Sequence, residues 1–195
     1  MATLAPTSEL EAVNVMLAAI SESPVNSLNT VGNLDASIAR DTLHAVSREV
    51  QTQGWWFNEQ EGYTFTLNAQ KKVNAPAAVL KLYPARGGVP LVLRGTRLVN
   101  PVTGADTFDT APVADYIVWH LAWEDLPESA RRYIAVRAAR LFQTSQIGSD
   151  QMFMFTEHHE EEAYQIFAGE HADFLYARGH NYLTGSHDVT AIWSR

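Results

Sequence analysis

The chain has 195 residues, sets 22 acidic side chains against 14 basic ones for a net charge of −8, and contains no cysteine. Without cysteine there is no disulfide framework, thiolate metal site or thiol nucleophile. The acidic balance argues against gripping nucleic acid through a general basic face, and no apolar run approaches the ~20 residues of a membrane span.

No basic segment followed by an apolar one marks a signal peptide, so the chain reads as soluble and not conventionally exported. Residues 1–7 carry no pattern. Ser8 with Glu11 has the spacing of a capping box, and Leu10, Val13, Leu17 and Ile20 then mark an amphipathic helix that ends before Pro24. After a polar loop, Asp35 is placed to cap a second helix whose Ala39, Leu43, Val46 and Val50 share a face, with Gly54 positioned to end it.

Gly54-Trp55-Trp56-Phe57-Asn58 is the densest aromatic cluster and stands where helical periodicity gives way to strand periodicity. Three large rings bury much surface, so a core plug at a domain junction is preferred over a stacking platform for a ligand. One tryptophan is expected to be buried and the other to cover the junction. Tyr63, Phe65 and Leu67 alternate with threonines, as strands do. Val79–Tyr83 and Leu91–Leu93 are further short strands. Arg97–Val99 and Thr107–Phe108 flank the turn-rich Asn100–Gly104, which reads as the tip of a hairpin, and Tyr116–Trp123 is apolar enough for a buried strand.

Asp125 with Glu128 repeats the capping-box spacing, Pro127 suits a first helical turn, and Ala130, Ile134, Ala138 and Leu141 form an apolar stripe. Arg131, Arg132, Arg137 and Arg140 fall largely off that stripe and are expected to pair with acidic faces such as residues 157–162. Gly148 stops this helix, and Asp150 is placed to cap another that runs toward Ala177 for roughly 40 Å at 1.5 Å per residue. Beyond Gly179 lies an arm with Tyr182, Leu183, Ile192 and Trp193, too apolar for a solvated tail and read as an interface. The expected fold is α+β: a discontinuous four-helix bundle (1–58 and 124–177), a small, mostly antiparallel β insertion (59–123), and a C-terminal docking arm (178–195).

Catalytic patterns are scarce. His158-His159-Glu160-Glu161-Glu162 misses the zincin motif, because the residue four after His159 is Ala163. His158 and Glu162 have chelating i, i+4 spacing, but a solvated acidic face is the preferred reading, and His159 is expected at a packing seam. A glycosidase needs two carboxylates facing across a cleft, and Glu59, Glu61, Asp106, Asp109 and Asp115 offer candidates whose convergence spacing does not establish. There is no G-x-S-x-G elbow, Walker loop or dinucleotide fingerprint. The residues therefore assign no catalytic centre, no metal site and no cofactor.

Several short stretches, in order and spacing, resemble the tail tubular protein A family of short-tailed, T7-like bacteriophages. They are Ala12-Val13-Asn14 with Ile20, Glu22, Pro24-Val25 and Ser27-Leu28; Gln53-Gly54-Trp55 with Phe57-Asn58 and Glu61-Gly62; Leu126-Pro127-Glu128 with Ala138 and Arg140; Glu160-Glu161-Glu162; and Asn181, Leu183 and Gly185. Ser21 departs from the family, which often has Gly after the first helix. The resemblance implies a virion protein of the tail, assembled in the host cytoplasm as a twelve-subunit ring. That ring would join the portal protein to the tail nozzle (tail tubular protein B), with DNA passing through its bore without sequence-specific binding and no membrane contact. It also raises an alternative, the same adaptor with an accessory polysaccharide hydrolase activity.

Overall fold

A computed structural model describes residues 7–28, 33–147 and 157–178. The elements run α1 (Glu9–Ala19), α2 (Leu34–Thr52), β1 (Glu59–Thr64), β2 (Val79–Pro84), β3 (Val92–Arg94), β4 (Arg97–Val99), β5 (Val113–Trp119), a 3-10 turn (Trp123–Asp125), α3 (Glu128–Ile147) and α4 (Glu157–Ala177). Helices and small antiparallel sheets together make an α+β protein. Two compact units emerge, one from residues 1–47 and 122–195 and the other from Arg48–Leu121, so the division falls inside α2.

In the first unit the Ser8 capping box forms: Ser8 accepts from the Glu11 N–H, and the Glu11 carboxylate accepts from the Ser8 N–H at 2.7 Å. α1 buries Ala12, Val13, Met16 and Leu17. It ends in a Schellman arrangement, with the Glu22 N–H on Leu17 O at 2.9 Å and the Ser21 N–H on Ala18 O at 3.0 Å. Ser21 accordingly sits at φ +63°, the left-handed conformation in which its Cβ is a liability. Asn14 then clasps the returning chain in both directions, donating to Val25 O at 3.0 Å and accepting from the Val25 N–H at 2.8 Å.

Two helix starts differ from the sequence reading. α2 is capped by Asn33, whose Oδ1 accepts from the Ala36 N–H at 2.9 Å, while Asp35 lies inside the first turn. α3 begins at Glu128, and Asp125 belongs to the 3-10 turn before it. The Glu128 carboxylate instead holds Thr7, accepting from its N–H at 2.8 Å and its hydroxyl at 2.5 Å. The buried stripe of α3 continues from Ala130, Ile134 and Ala138 to Phe142, and Leu141 is the partly exposed neighbour. A four-residue step keeps the larger ring inside, where α3 is packed by both α1 and α4.

Arg131 is the largest departure. Expected on an acidic face, it is buried, and its guanidinium donates to Leu126 O (2.9 Å), Glu124 O (2.5 Å) and Thr7 O (3.3 Å). Thr7 O also receives the Trp123 indole N–H at 3.0 Å. A planar fork of five donors satisfies carbonyls that the short turn leaves without helical partners.

The second unit is built on a three-stranded antiparallel sheet in the order β1-β5-β2, with β3 and β4 as a separate hairpin. Glu59 faces Val118 and Tyr63 faces Ala114, which places Tyr63 beside Phe65 and Trp119 in edge-to-face contacts of 5.0 and 5.6 Å. Phe65, Leu91, Leu98, Phe108, Ala114 and Ile117 form its core. Arg97–Val99 pairs with Val92–Arg94 through the two-residue turn Gly95-Thr96, not with Thr107–Phe108. Gly95 at φ +64° supplies the left-handed first position such a tight hairpin demands. Asn100–Gly104 closes on itself instead, as Asn100 Oδ1 accepts from the Val102 N–H at 2.9 Å.

Trp55 is buried, with its indole N–H on Val50 O at 2.7 Å, and Trp56 is half-buried, edge-on to Phe57 at 5.1 Å. Asn58 and Gln51 knit this corner together. Asn58 donates to Gln51 O and Trp119 O at 2.9 and 2.8 Å, while Gln51 exchanges two hydrogen bonds with the Leu121 backbone at 2.7 and 3.2 Å. Both amides are fully enclosed, so each bond replaces water that the backbone has lost.

Candidate functional site

Polar chemistry concentrates where α3 and α4 pack. Arg137 and Arg140, one turn apart on α3, converge on Glu160 of α4 at 2.7 and 2.5 Å. The carboxylate is largely shielded from solvent, which strengthens the pair and raises the cost of losing either partner. Beneath it Tyr133 stacks on Phe167 at 5.4 Å and leans on Tyr164 at 5.4 Å. Burial pushes the Tyr133 phenol above its ordinary value, so it stays neutral. One turn further along, the Ser129 hydroxyl donates to Glu170 at 2.5 Å. A cleft of ≈ 390 Å³ opens beside this clamp, lined by Tyr133, Arg137, Arg140, Glu160 and Tyr164 among others. Its charges, Arg137 and Arg140 against Glu157, Glu160 and Glu161, nearly balance, a composition that holds two helices together.

On the other flank of α4 a groove of ≈ 790 Å³ has Val136, Ala163 and Ile166 among its apolar lining, with Arg132, Glu161 and Glu162 among its charges. Ile166 stands 55% exposed there. His158 pairs with Glu162 at 3.2 Å in an exposed i, i+4 contact, and the described residues hold no group of three or more metal-ligating side chains. His159, expected at a packing seam, is exposed; Ala163 and Phe167 carry the buried side of α4 without it.

The carboxylates weighed for glycan hydrolysis are occupied differently. Asp106 pairs with Lys72 at 2.7 Å and Asp109 with Lys71 at 2.9 Å, contacts that hold both carboxyls below their ordinary values. Asp115 accepts from the Arg86 N–H at 3.1 Å. Glu59 is the exception. Burial pushes its carboxyl above the usual value, Glu61 adds to that, and Lys81 opposes it. The wall it stands against is Gly54, at φ +88°, where any Cβ would collide with the Glu59 carboxylate. Tyr182, Leu183, Ile192 and Trp193 lie outside the described residues.

Sequence reasoning anticipated that arginines of α3 would meet the acids of α4, because both lie on regular helices of readable period. It missed Arg131, Asn14, Gln51 and Asn58. Asn14 and Asn58 stood among the stretches that carry the family resemblance with no role attached, and Arg131 and Gln51 gave no sign beyond bordering apolar stripes.

The ion pairs of α3 with α4 and the lysine contacts of Asp106 and Asp109 are internal to the chain, and its sequence places it among the structural proteins of phage tails. A model of the tail tubular protein family matches residues 10–174, and the chain belongs to that family. It is also 32% identical over 142 residues, covering 73% of this chain and 75% of the relative, to the Tail tubular protein A of Klebsiella phage KP34. No helix among the described residues is long and apolar enough to cross a membrane.

Proposed function

We propose that this tail protein is the adaptor of the tail, a ring of twelve copies between the portal protein and the tail nozzle, with the genome leaving through its bore. The observation that carries the reading is the family match from residue 10 to residue 174, which runs through both compact units and leaves neither as an unrelated addition. The helical part, 1–58 and 124–177, acts as a four-helix bundle that meets the portal. The β insertion, 59–123, faces the nozzle, and the arm 178–195 docks through Tyr182, Leu183, Ile192 and Trp193. A net charge of −8 repeated around a channel repels DNA phosphate, which suits a conduit that must not retain its cargo. Copies are made and assembled in the host cytoplasm.

Light scattering on the purified chain, repeated with portal protein present, tests the ring. A mass of twelve copies on the portal, seen as a ring in electron micrographs, is the expected result. A chain that stays monomeric with portal and is absent from purified tails would overturn the adaptor reading. Ending the chain after Arg178 should leave a folded monomer that fails to enter tails.

A further inference from the structure

Charge is divided unevenly between the two compact units. Residues 48–121 carry seven Lys and Arg against six Asp and Glu, which leaves seven against sixteen, a net −9, for the rest of the chain. Copies of such a chain that met through their acidic units would repel one another, whereas acidic unit to sheet unit is electrostatically allowed.

The β3–β4 hairpin carries a charge arrangement that its own fold does not balance. Arg94 and Arg97 face each other across the two-residue turn, so two like charges share one side of the tip. Directly opposed like charges destabilise a hairpin. Arg97 acts on Asp106, already bound to Lys72, and among the described residues Arg94 has no ion-pair partner. Both side chains are exposed.

The complement is the outer flank of α4. Its groove offers an apolar floor of Val136, Ala163 and Ile166 with Glu161 and Glu162 at its edge and Arg132 as its one guanidinium. An exposed isoleucine beside Glu161 and Glu162, whose partners are Gln165 and His158 of the same helix, suits a partner that brings both contact surface and positive charge.

We propose that this groove is covered by a second copy of the chain, whose Arg94 and Arg97 tip engages Glu161 and Glu162. The contact is head-to-tail, because the two surfaces differ, and a head-to-tail contact closes into a ring when the rotation between copies divides a full turn. The proposal rests on the chain assembling with itself in the tail, and it specifies which surfaces meet.

A charge-swap test addresses it with full-length protein in phage particles, measuring the amount of the chain incorporated per particle. Arg94→Glu with Arg97→Glu should lower incorporation about tenfold or more, and Glu161→Lys with Glu162→Lys should do the same. Combining all four changes should restore incorporation to within about twofold of wild type, since attraction is re-formed with reversed sign. Arg94→Gln with Arg97→Gln, and melting curves of every variant, separate loss of contact from loss of fold. Unchanged incorporation of the Arg94→Glu, Arg97→Glu chain overturns the proposal, as does a four-fold variant no better than its parents. Loss of retention on duplex DNA by the tip variant, without rescue by the α4 changes, would overturn it in favour of a phosphate contact. Wild-type chain missing from particles would instead refute the tail reading itself.

Discussion

Replacing Arg131 by Met is the sharpest test of how the helical unit is held together. Arg131 is only 8% exposed, and its guanidinium donates to three carbonyls, of Leu126, Glu124 and Thr7. Thr7 O keeps the Trp123 indole as a donor, so the methionine leaves two carbonyls, Leu126 O and Glu124 O, without the guanidinium. A buried acceptor stripped of its donor costs about 1–3 kcal/mol, and the methionine recovers some packing, so a net loss of about 3 kcal/mol is expected. For a chain of this size that is a fall in melting temperature of roughly 6–12 °C. Urea unfolding followed by tryptophan fluorescence and by far-ultraviolet circular dichroism measures it, and Arg131→Lys, with a single donor group, should fall between wild type and Met. A methionine variant within about 0.5 kcal/mol of wild type, the scatter of ordinary surface changes, would refute the reasoning.

Ser21→Gly should stabilise the chain by up to ~1 kcal/mol, because glycine adopts φ +63° freely; a loss of stability in the same unfolding assay would contradict the strain assigned there. Trp55→Ala should cost about 3–5 kcal/mol and Trp56→Ala clearly less, so equal midpoints for the two variants would remove the distinction between the buried ring and the half-buried one. Glu59→Gln tests a carboxyl whose folded value is raised by burial. Such a group favours the folded state when protonated and loses that contribution as pH rises from its ordinary value through the raised one. The Gln variant should therefore exceed wild type in stability at neutral pH and converge with it below the ordinary carboxylate range. A gap independent of pH would dismiss desolvation as the cause. Assayed against capsule or cell-wall polysaccharide, purified protein should show no turnover that depends on Glu59, Glu61, Asp106, Asp109 or Asp115, and robust activity abolished by one of these changes in a folded variant would establish hydrolysis.

Where a feature depends on a few consecutive residues, the amino-acid order alone determined it. The Ser8 capping box, the stop at Gly54, and the face shared by Ala39, Leu43, Val46 and Val50 are all settled within about one or two helical turns. The meeting of Arg137 and Arg140 with Glu160 was legible as well, since a regular helix carries its period over many residues. Strand partners were not. Arg97–Val99 is bordered by two turns of plausible chemistry, Gly95-Thr96 and Asn100–Gly104, and only the closing of the hairpin core selected the first. Asn33 displaced Asp35 as a cap, and the 3-10 turn displaced Asp125, because adjacent polar residues offer nearly equal local solutions that tertiary packing separates. Arg131, Asn14, Gln51 and Asn58 belong to the same class. Their partners lie on backbone carbonyls and amides brought up from elsewhere in the chain, and a backbone group has no residue type by which a sequence could announce it.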